Sequence, residues 1–437
     1  MSKQAFALCV LLLLTAALAH GYAVLTHEAV IDASWNDIRP ILLKRFPQST
    51  PDELEHAHAY AYGGCIVQDM GYYPLGSHYF SDLAHYVRSG DFVQALLRDA
   101  QDVNELAFGL GALAHYSADN SGHPLAVNRA VAIEYPKLRA RYGNQVTYED
   151  DREAHLKTEF GFDVIEVAQG NYAAKSYHDF IGFQVSKDLL ARAFRDTYGL
   201  ELKDQFVSLD LALGTYRRVV STLLPEAAKV AWSMNQKQIV SAHPGMTKRK
   251  FLYNIRRSAY EKEWGKDYRR PGIFARFLAF LFRIVPKVGP FQSLAIKTPT
   301  AQTQALFMES FNKTLDLYRT LLRQEAAGHL QLANTDFDTG RPTAPGEYRL
   351  ADQTYAKLLR EVASQNFAGV SPELRASLLE FYRNAKPLAG SAGKGSKADQ
   401  KDWADTLAAL EKLRGANGAS PQNDKVPVRG SSSALGR

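Results

Sequence analysis

Within the stretch His115-Tyr-Ser-Ala-Asp119-Asn-Ser-Gly-His123, potential metal ligands recur at every fourth residue. At about 100° of rotation per residue, each step of four drifts by only about 40°, so a helix would carry all of them on one face. Two imidazoles flanking a carboxylate suit zinc, which takes nitrogen and oxygen ligands at about 2.0–2.2 Å. The plainer reading of the same stretch is a buried polar stripe whose histidines find ordinary hydrogen bonds. Further ligands elsewhere in the chain decide between the two.

Several candidates exist, and all precede residue 160. Asp69 and His78 bracket a loop signal rich in Gly, Tyr and Pro at 71–76, so a carboxylate and an imidazole meet at a loop neck. His155 and Glu159 stand four apart on one helix face, either as a second chelating pair or as an ordinary surface pair. His27 follows Thr26, a plausible N-cap, and is expected in a helix first turn, where a lone histidine is by default an exposed polar residue. His56 and His58, two apart, face different sides and read as structural. If the five histidines and three carboxylates His27, Asp69, His78, His115, Asp119, His123, His155 and Glu159 converge, they exceed what one zinc can take, and the site is multinuclear. No phosphate-cradling glycine loop, cysteine–histidine dyad or serine elbow competes with this reading.

The elements that must position these residues are helical. Apolar residues recur at helical spacing throughout, and no useful run alternates with the two-residue period of strands, so the fold class is all-α. Gly109 and Gly111, inside an apolar helical stretch, would let another helix approach closely. Residues 1–21 read as a secretory signal with one lysine, Lys3, and an apolar run from Ala5 to Ala19; cleavage fits after Ala19 or after Gly21. The expected location is therefore secreted or periplasmic. Removing the signal leaves Cys65 as the only cysteine, so no intramolecular disulfide is possible and bound metal could staple the fold.

Residues 22–243 form the expected catalytic domain, 244–386 a C-terminal helical region, and 387–437 a low-complexity, disordered tail with a short helical island around Trp403, Leu407, Leu410 and Leu413. Of the basic residues behind the net charge of +6, Lys248, Arg249, Lys250, Arg256, Arg257, Lys262, Lys266, Arg269 and Arg270 cluster. Such a cluster suits a phospholipid surface or nucleic acid, or is a solvated face. The apolar segment Ile273–Val285, interrupted by Arg276 and Arg283, is too short to span a bilayer and reads as a buried helix or an interfacial one.

With these residues in order, the chain from Tyr22 to about Val230 resembles the zinc-dependent phospholipase C family. That family includes bacterial phospholipase C and the related domain of glycosylphosphatidylinositol-specific phospholipase D, and shares its fold with fungal and plant zinc nucleases. The resemblance implies a multi-helix bundle binding up to three zinc ions. Asp69, His78, His115 and Asp119 would hold one, and His123, His155 and Glu159 a second. The mature amino terminus at Tyr22, with His27 and a bridging Asp119, would hold a third. Tyr22 stands where the family usually has Trp, but the chelating atoms there are backbone. The four-residue step from Asp119 to His123 is shorter than in the secreted bacterial lipases and nearer the phospholipase D-type domain.

The chemistry agrees. Clustered zinc ions neutralise an anionic phosphodiester, generate hydroxide at neutral pH and stabilise the departing oxygen. Asp69 is the candidate general base, although it is first a ligand. The expected activity is hydrolysis of phospholipids at a membrane surface, and no protein partner is inferred. Two alternatives stand beside it. One is a zinc nuclease or 3′-nucleotidase, with Tyr72, Tyr73, Tyr79 and Phe80 as stacking aromatics for nucleic acid. The other is a non-catalytic protein whose metal only staples the fold.

Overall fold

In the computed structural model the described residues are largely helical, with no strand among them and one isolated bridge between Thr335 and Pro342. The structure describes residues 24–73, 75–169, 183–218, 298–383 and 397–415, together with 236–237 and 240–241. Residues 1–21, expected to be a secretory signal, Tyr22, the basic cluster from Lys248 to Arg270 and the Ile273–Val285 segment lie outside them.

The first helices are α1 (Val24–Arg45), α2 (Pro51–Gly64), a 3-10 turn at Gln68–Tyr72, α3 (His78–Tyr86), α4 (Ser89–Arg98) and α5 (Val103–Gly122). A π-helical turn at His123–Val127 leads into α6 (Asn128–Glu134), α7 (Pro136–Tyr142), α8 (Arg152–Gln169), α9 (Lys187–Tyr198) and α10 (Leu209–Arg218). The later helices are α11 (Ala301–Ala326), α12 (Arg349–Ser364), α13 (Pro372–Phe381) and α14 (Lys397–Gly415).

α5 is the centre of the bundle. Asp102 caps it, its carboxylate accepting the Glu105 N–H at 2.8 Å, and almost every residue that follows is buried. α2 meets it backbone to backbone. A Cβ on Gly111 would stand 2.1 Å from the Ala61 oxygen, and one on Gly64 would stand 1.9 Å from the Phe108 oxygen. This is the close approach that the small residues at 109 and 111 imply.

Helices after residue 300 share the core of the first half. α11 lies against α1 and α5, where the Tyr318 hydroxyl donates to the Leu110 carbonyl at 2.8 Å and the Phe307 ring stacks on Phe162 of α8 at 4.7 Å. The island expected in the tail is α14, which buries Leu410 and Leu413 and packs on α12. Arg360 of α12 also reaches Thr406 Oγ1 at 2.8 Å.

Between α11 and α12, residues 329–348 form a largely non-helical strap over α4 and the end of α5. It is tied down by the Ser89 hydroxyl donating to the Thr335 carbonyl at 2.6 Å, the Asp91 N–H to Asn334 Oδ1 at 3.0 Å, and the Tyr116 hydroxyl to the Ala333 carbonyl at 3.0 Å. Gly90 admits it, since a Cβ there would stand 2.4 Å from the Ala333 oxygen.

Candidate metal centre

α5 carries His115 and Asp119 on one buried face, and its last turn opens into the π-helical turn that begins with His123 and Pro124. Proline cannot donate the backbone hydrogen bond that the next α-turn needs, and a π-turn at a functional site is the usual accommodation. α8 brings His155, Glu159 and Asp163 along one face at four-residue spacing, while α1 brings His27 and the 3-10 turn brings Asp69. All of these side chains are buried.

Ligand atoms of Asp69, His85, His115 and Asp119 lie within 4.8 Å of one another, and those of His123, His155 and Glu159 form a second such group. In the first, His85 Nε2 is 3.2 Å from Asp69 Oδ1, 3.5 Å from Asp119 Oδ2 and 3.4 Å from His115 Nε2. His115 Nε2 is 3.1 Å from Asp119 Oδ2. Ligands of a tetrahedral zinc at about 2.0–2.1 Å stand about 3.3 Å apart, so these separations suit one ion. The rings are oriented for it: His85 Nδ1 donates to the Ser81 carbonyl at 2.8 Å and His115 Nδ1 to the Cys65 carbonyl at 3.0 Å, turning both Nε2 lone pairs inward.

In the second group His155 Nε2 stands 2.7 Å and His123 Nε2 3.7 Å from Glu159 Oε1. Three protein donors would leave a zinc a fourth position, the donor count of a catalytic site. Asp119 lies between the groups: Oδ2 faces His85 and His115, while Oδ1 is 3.4 Å from His27 Nε2 and 3.9 Å from His123 Nε2. The His27 ring also stacks on His115 at 4.4 Å.

The charge balance asks for a cation. Burial opposes ionisation of Asp119, yet His115 and His123 hold it well below the usual carboxylate range. Burial pushes Asp69 up, and pushes Glu159 well above its ordinary value. Burial and the neighbouring His115 lower His27 well below the usual imidazole value, and burial takes His155 down to about 4. Both Asp119 oxygens, His123 Nε2, His155 Nε2 and Glu159 Oε1 have no well-formed hydrogen bond among the described residues, although each is buried. Such groups are costly in a protein interior unless something binds them, and a divalent cation meets nitrogen lone pairs and carboxylates together. The donor set fits zinc.

Of the residues singled out in the sequence, His115, Asp119 and Asp69 come together in the first group and His123, His155 and Glu159 in the second. His27 is buried beside Asp119 rather than exposed, and Thr26 lies inside α1 instead of capping it. The capping carboxylate is Asp163 of α8, which accepts the Leu25 N–H at 2.8 Å and the Thr26 N–H at 3.0 Å. Tyr22 lies outside the described residues.

His78 needs correction. It sits exposed in the first turn of α3, just after Ser77, which caps the helix by accepting the Phe80 N–H at 3.2 Å. His85, two turns further along, reaches the centre in its place. Seven residues advance a helix by about 10.5 Å with almost no net rotation, so both histidines share a stripe and only depth along the axis separates them. The signal for His85 was its apolar setting, Leu83-Ala84 before and Tyr86-Val87 after, against Gly76-Ser77 before His78. Asp338, whose Oδ1 accepts His123 Nδ1–H at 2.8 Å, is a second residue that sequence reasoning missed, and it carried no sequence signal.

The aromatic residues considered for base stacking are largely internal. Tyr72, Tyr79 and Phe80 are buried, and half-buried Tyr73 packs on Tyr216 at 4.1 Å. His58, read as structural, stacks on Trp35 at 3.9 Å with its Nε2 3.1 Å from Asp32.

Comparison with known proteins agrees with this geometry. Residues 26–206 match the family model described as zinc dependent phospholipase C, a span that includes every residue of both ligand groups. No match was found among curated proteins or among solved structures. Over residues 26–206 the chain is thus similar to the zinc-dependent phospholipase C family, a family of hydrolases.

Proposed function

We propose that this protein is an exported zinc hydrolase that cleaves the phosphodiester bond of phospholipids, using up to three metal ions. The observation that carries the reading is Asp119, a buried carboxylate of the first ligand group whose other oxygen stands 3.9 Å from His123 of the second. His27, 3.4 Å from the other face of the same carboxylate, supports a third ion completed by the mature amino terminus at Tyr22.

When bound, zinc neutralises the phosphodiester, lowers the pKa of water and stabilises the leaving oxygen. The chain's own residues do the rest. Asp119 and the histidines hold the charge-stabilising groups fixed, with Nδ1–H bonds to backbone locking the His85 and His115 rings. Asp69, with one oxygen toward His85 and the other toward His27 at 4.0 Å, is placed to accept a proton from attacking water.

Phospholipid is favoured over single-stranded nucleic acid because Tyr72, Tyr79 and Phe80 are spent in the core rather than offered for stacking. The three-donor group His123, His155 and Glu159 favours catalysis over a metal staple, which would close all four positions. Release of phosphocholine or diacylglycerol from phosphatidylcholine vesicles, abolished by a chelator and restored by zinc, is the expected result. No metal-dependent release from any phospholipid, with hydrolysis of single-stranded DNA instead, would replace this reading by the nuclease one. Amino-terminal sequencing of the exported protein tests the third ion: a chain beginning at Tyr22 supports it, and one beginning at His20 removes it as drawn.

A further inference from the structure

We propose that Asp338 is a positioning residue for the second metal group, and that the strap at residues 329–348, outside the family-matched span, is thereby a working part of the metal centre. The inference rests on the zinc reading of the site and not on the identity of the substrate. Asp338 is buried, 2% exposed, and its oxygens divide their work. Oδ1 accepts His123 Nδ1–H at 2.8 Å. Oδ2 accepts the Tyr86 hydroxyl at 3.0 Å and the Tyr348 hydroxyl. Its backbone carbonyl accepts Asn128 Nδ2–H at 2.7 Å, which ties the strap to the helix following His123.

This arrangement determines what His123 can do. A carboxylate at Nδ1 keeps the proton there, so Nε2 presents its lone pair toward Glu159 and Asp119. His85 and His115 give their Nδ1–H to neutral backbone carbonyls, whereas His123 gives its to a charged group. A histidine so paired is the more basic ligand and is held in one orientation. His123 sits where the regular pattern of α5 ends: its N–H still donates to the Asp119 carbonyl, but its own carbonyl accepts from Asn128, five residues on, so the Asp338 bond fixes a side chain at the joint between two helix types. The strap is anchored on its other side as well: the Phe337 N–H donates to the His85 carbonyl at 3.3 Å, and the Phe337 ring packs on His85 and His115 at 5.3 and 5.9 Å.

The test uses the full zinc-loaded chain, with Asp338→Asn as the main variant and Tyr348→Phe as a milder one that keeps the carboxylate and removes one of its donors. The measurements are zinc content, the rate at which each zinc passes to a chromophoric chelator, and thermal unfolding of metal-stripped protein. For D338N, one ion is expected to leave roughly 10–100-fold faster while the others keep their rates. The metal-stripped variant should unfold where the metal-stripped wild type does. Y348F should accelerate the same ion by a smaller factor, and it decides the matter alone if D338N does not fold. Unchanged release, equal acceleration of every ion, or equal destabilisation of the stripped and loaded protein would each overturn the proposal. A wild-type chain that takes up no zinc would overturn it too, and the reading of the centre with it.

Discussion

The Nε2 atoms of His85 and His115 face one another at 3.4 Å, each ring locked by an Nδ1–H bond to a backbone carbonyl. Two imidazoles so arranged beside Asp69 and Asp119 need a cation between them more than they need each other. His85→Ala should therefore weaken zinc binding at this group by at least about 100-fold, beyond the usual effect of removing an outer partner. His78→Ala should leave it within about twofold, because that side chain is exposed at the far end of α3. Zinc content after dialysis against a graded metal buffer separates the two. Loss in H78A with retention in H85A would reverse the assignment.

Gly111→Ala tests the joint between α2 and α5. The added methyl would stand 2.1 Å from the Ala61 oxygen and 2.8 Å from the Cys65 nitrogen, both backbone atoms that cannot rotate away. Displacing α2 would also move the Cys65 carbonyl that orients His115. A loss of about 1–3 kcal/mol or more is expected, accompanied by weaker zinc binding, measured by denaturant unfolding with and without metal. Wild-type stability in G111A would mean the helices can separate without cost.

Asp163 links α8 to the start of α1. Replacing it with Ala removes the acceptor for the Leu25 and Thr26 amides and should cost roughly 1–2 kcal/mol. Amide exchange of residues 24–27 should quicken before that of α5, and His27 should become accessible to a carbethoxylating reagent in metal-stripped protein. Unaltered exchange at these amides would show that the cap is dispensable.

A pH dependence follows from Asp336, on the strap beside Asp338. Burial, with the hydrogen bond to Glu347 and the charge of Asp338, raises it to about 8. The folded protein then holds a proton that the unfolded chain releases near pH 4. Stability from this group is complete below about pH 4 and is lost as pH rises through about 8, the sign given by proton binding in the native state exceeding that in the unfolded state. In thermal melts of the zinc-loaded protein, Asp336→Asn should flatten the decline between pH 5 and 8 relative to wild type. Parallel profiles for the two proteins would exclude Asp336 as its source.

Much of the centre was legible because ligands from one helix repeat at fixed spacing. His115 with Asp119, and His155 with Glu159, are helical neighbours that any α-helix over those residues would pair. The all-α class was legible for the same reason, as was the contact at Gly111, where only a missing side chain lets backbones touch. Tertiary structure decided three other matters. His78 and His85 occupy one stripe of α3, and no local rule says which depth meets α5. Asp163 took over the cap assigned to Thr26, because the helix already runs at Val24 and a carboxylate arriving from 137 residues away accepts the Leu25 and Thr26 amides. Asp338 reaches His123 across 215 positions, through a strap whose path is set by Ser89, Gly90 and Tyr116. Spacing along the chain determines which side chains share a face; which faces meet, and at what depth, is a property of the packed bundle alone.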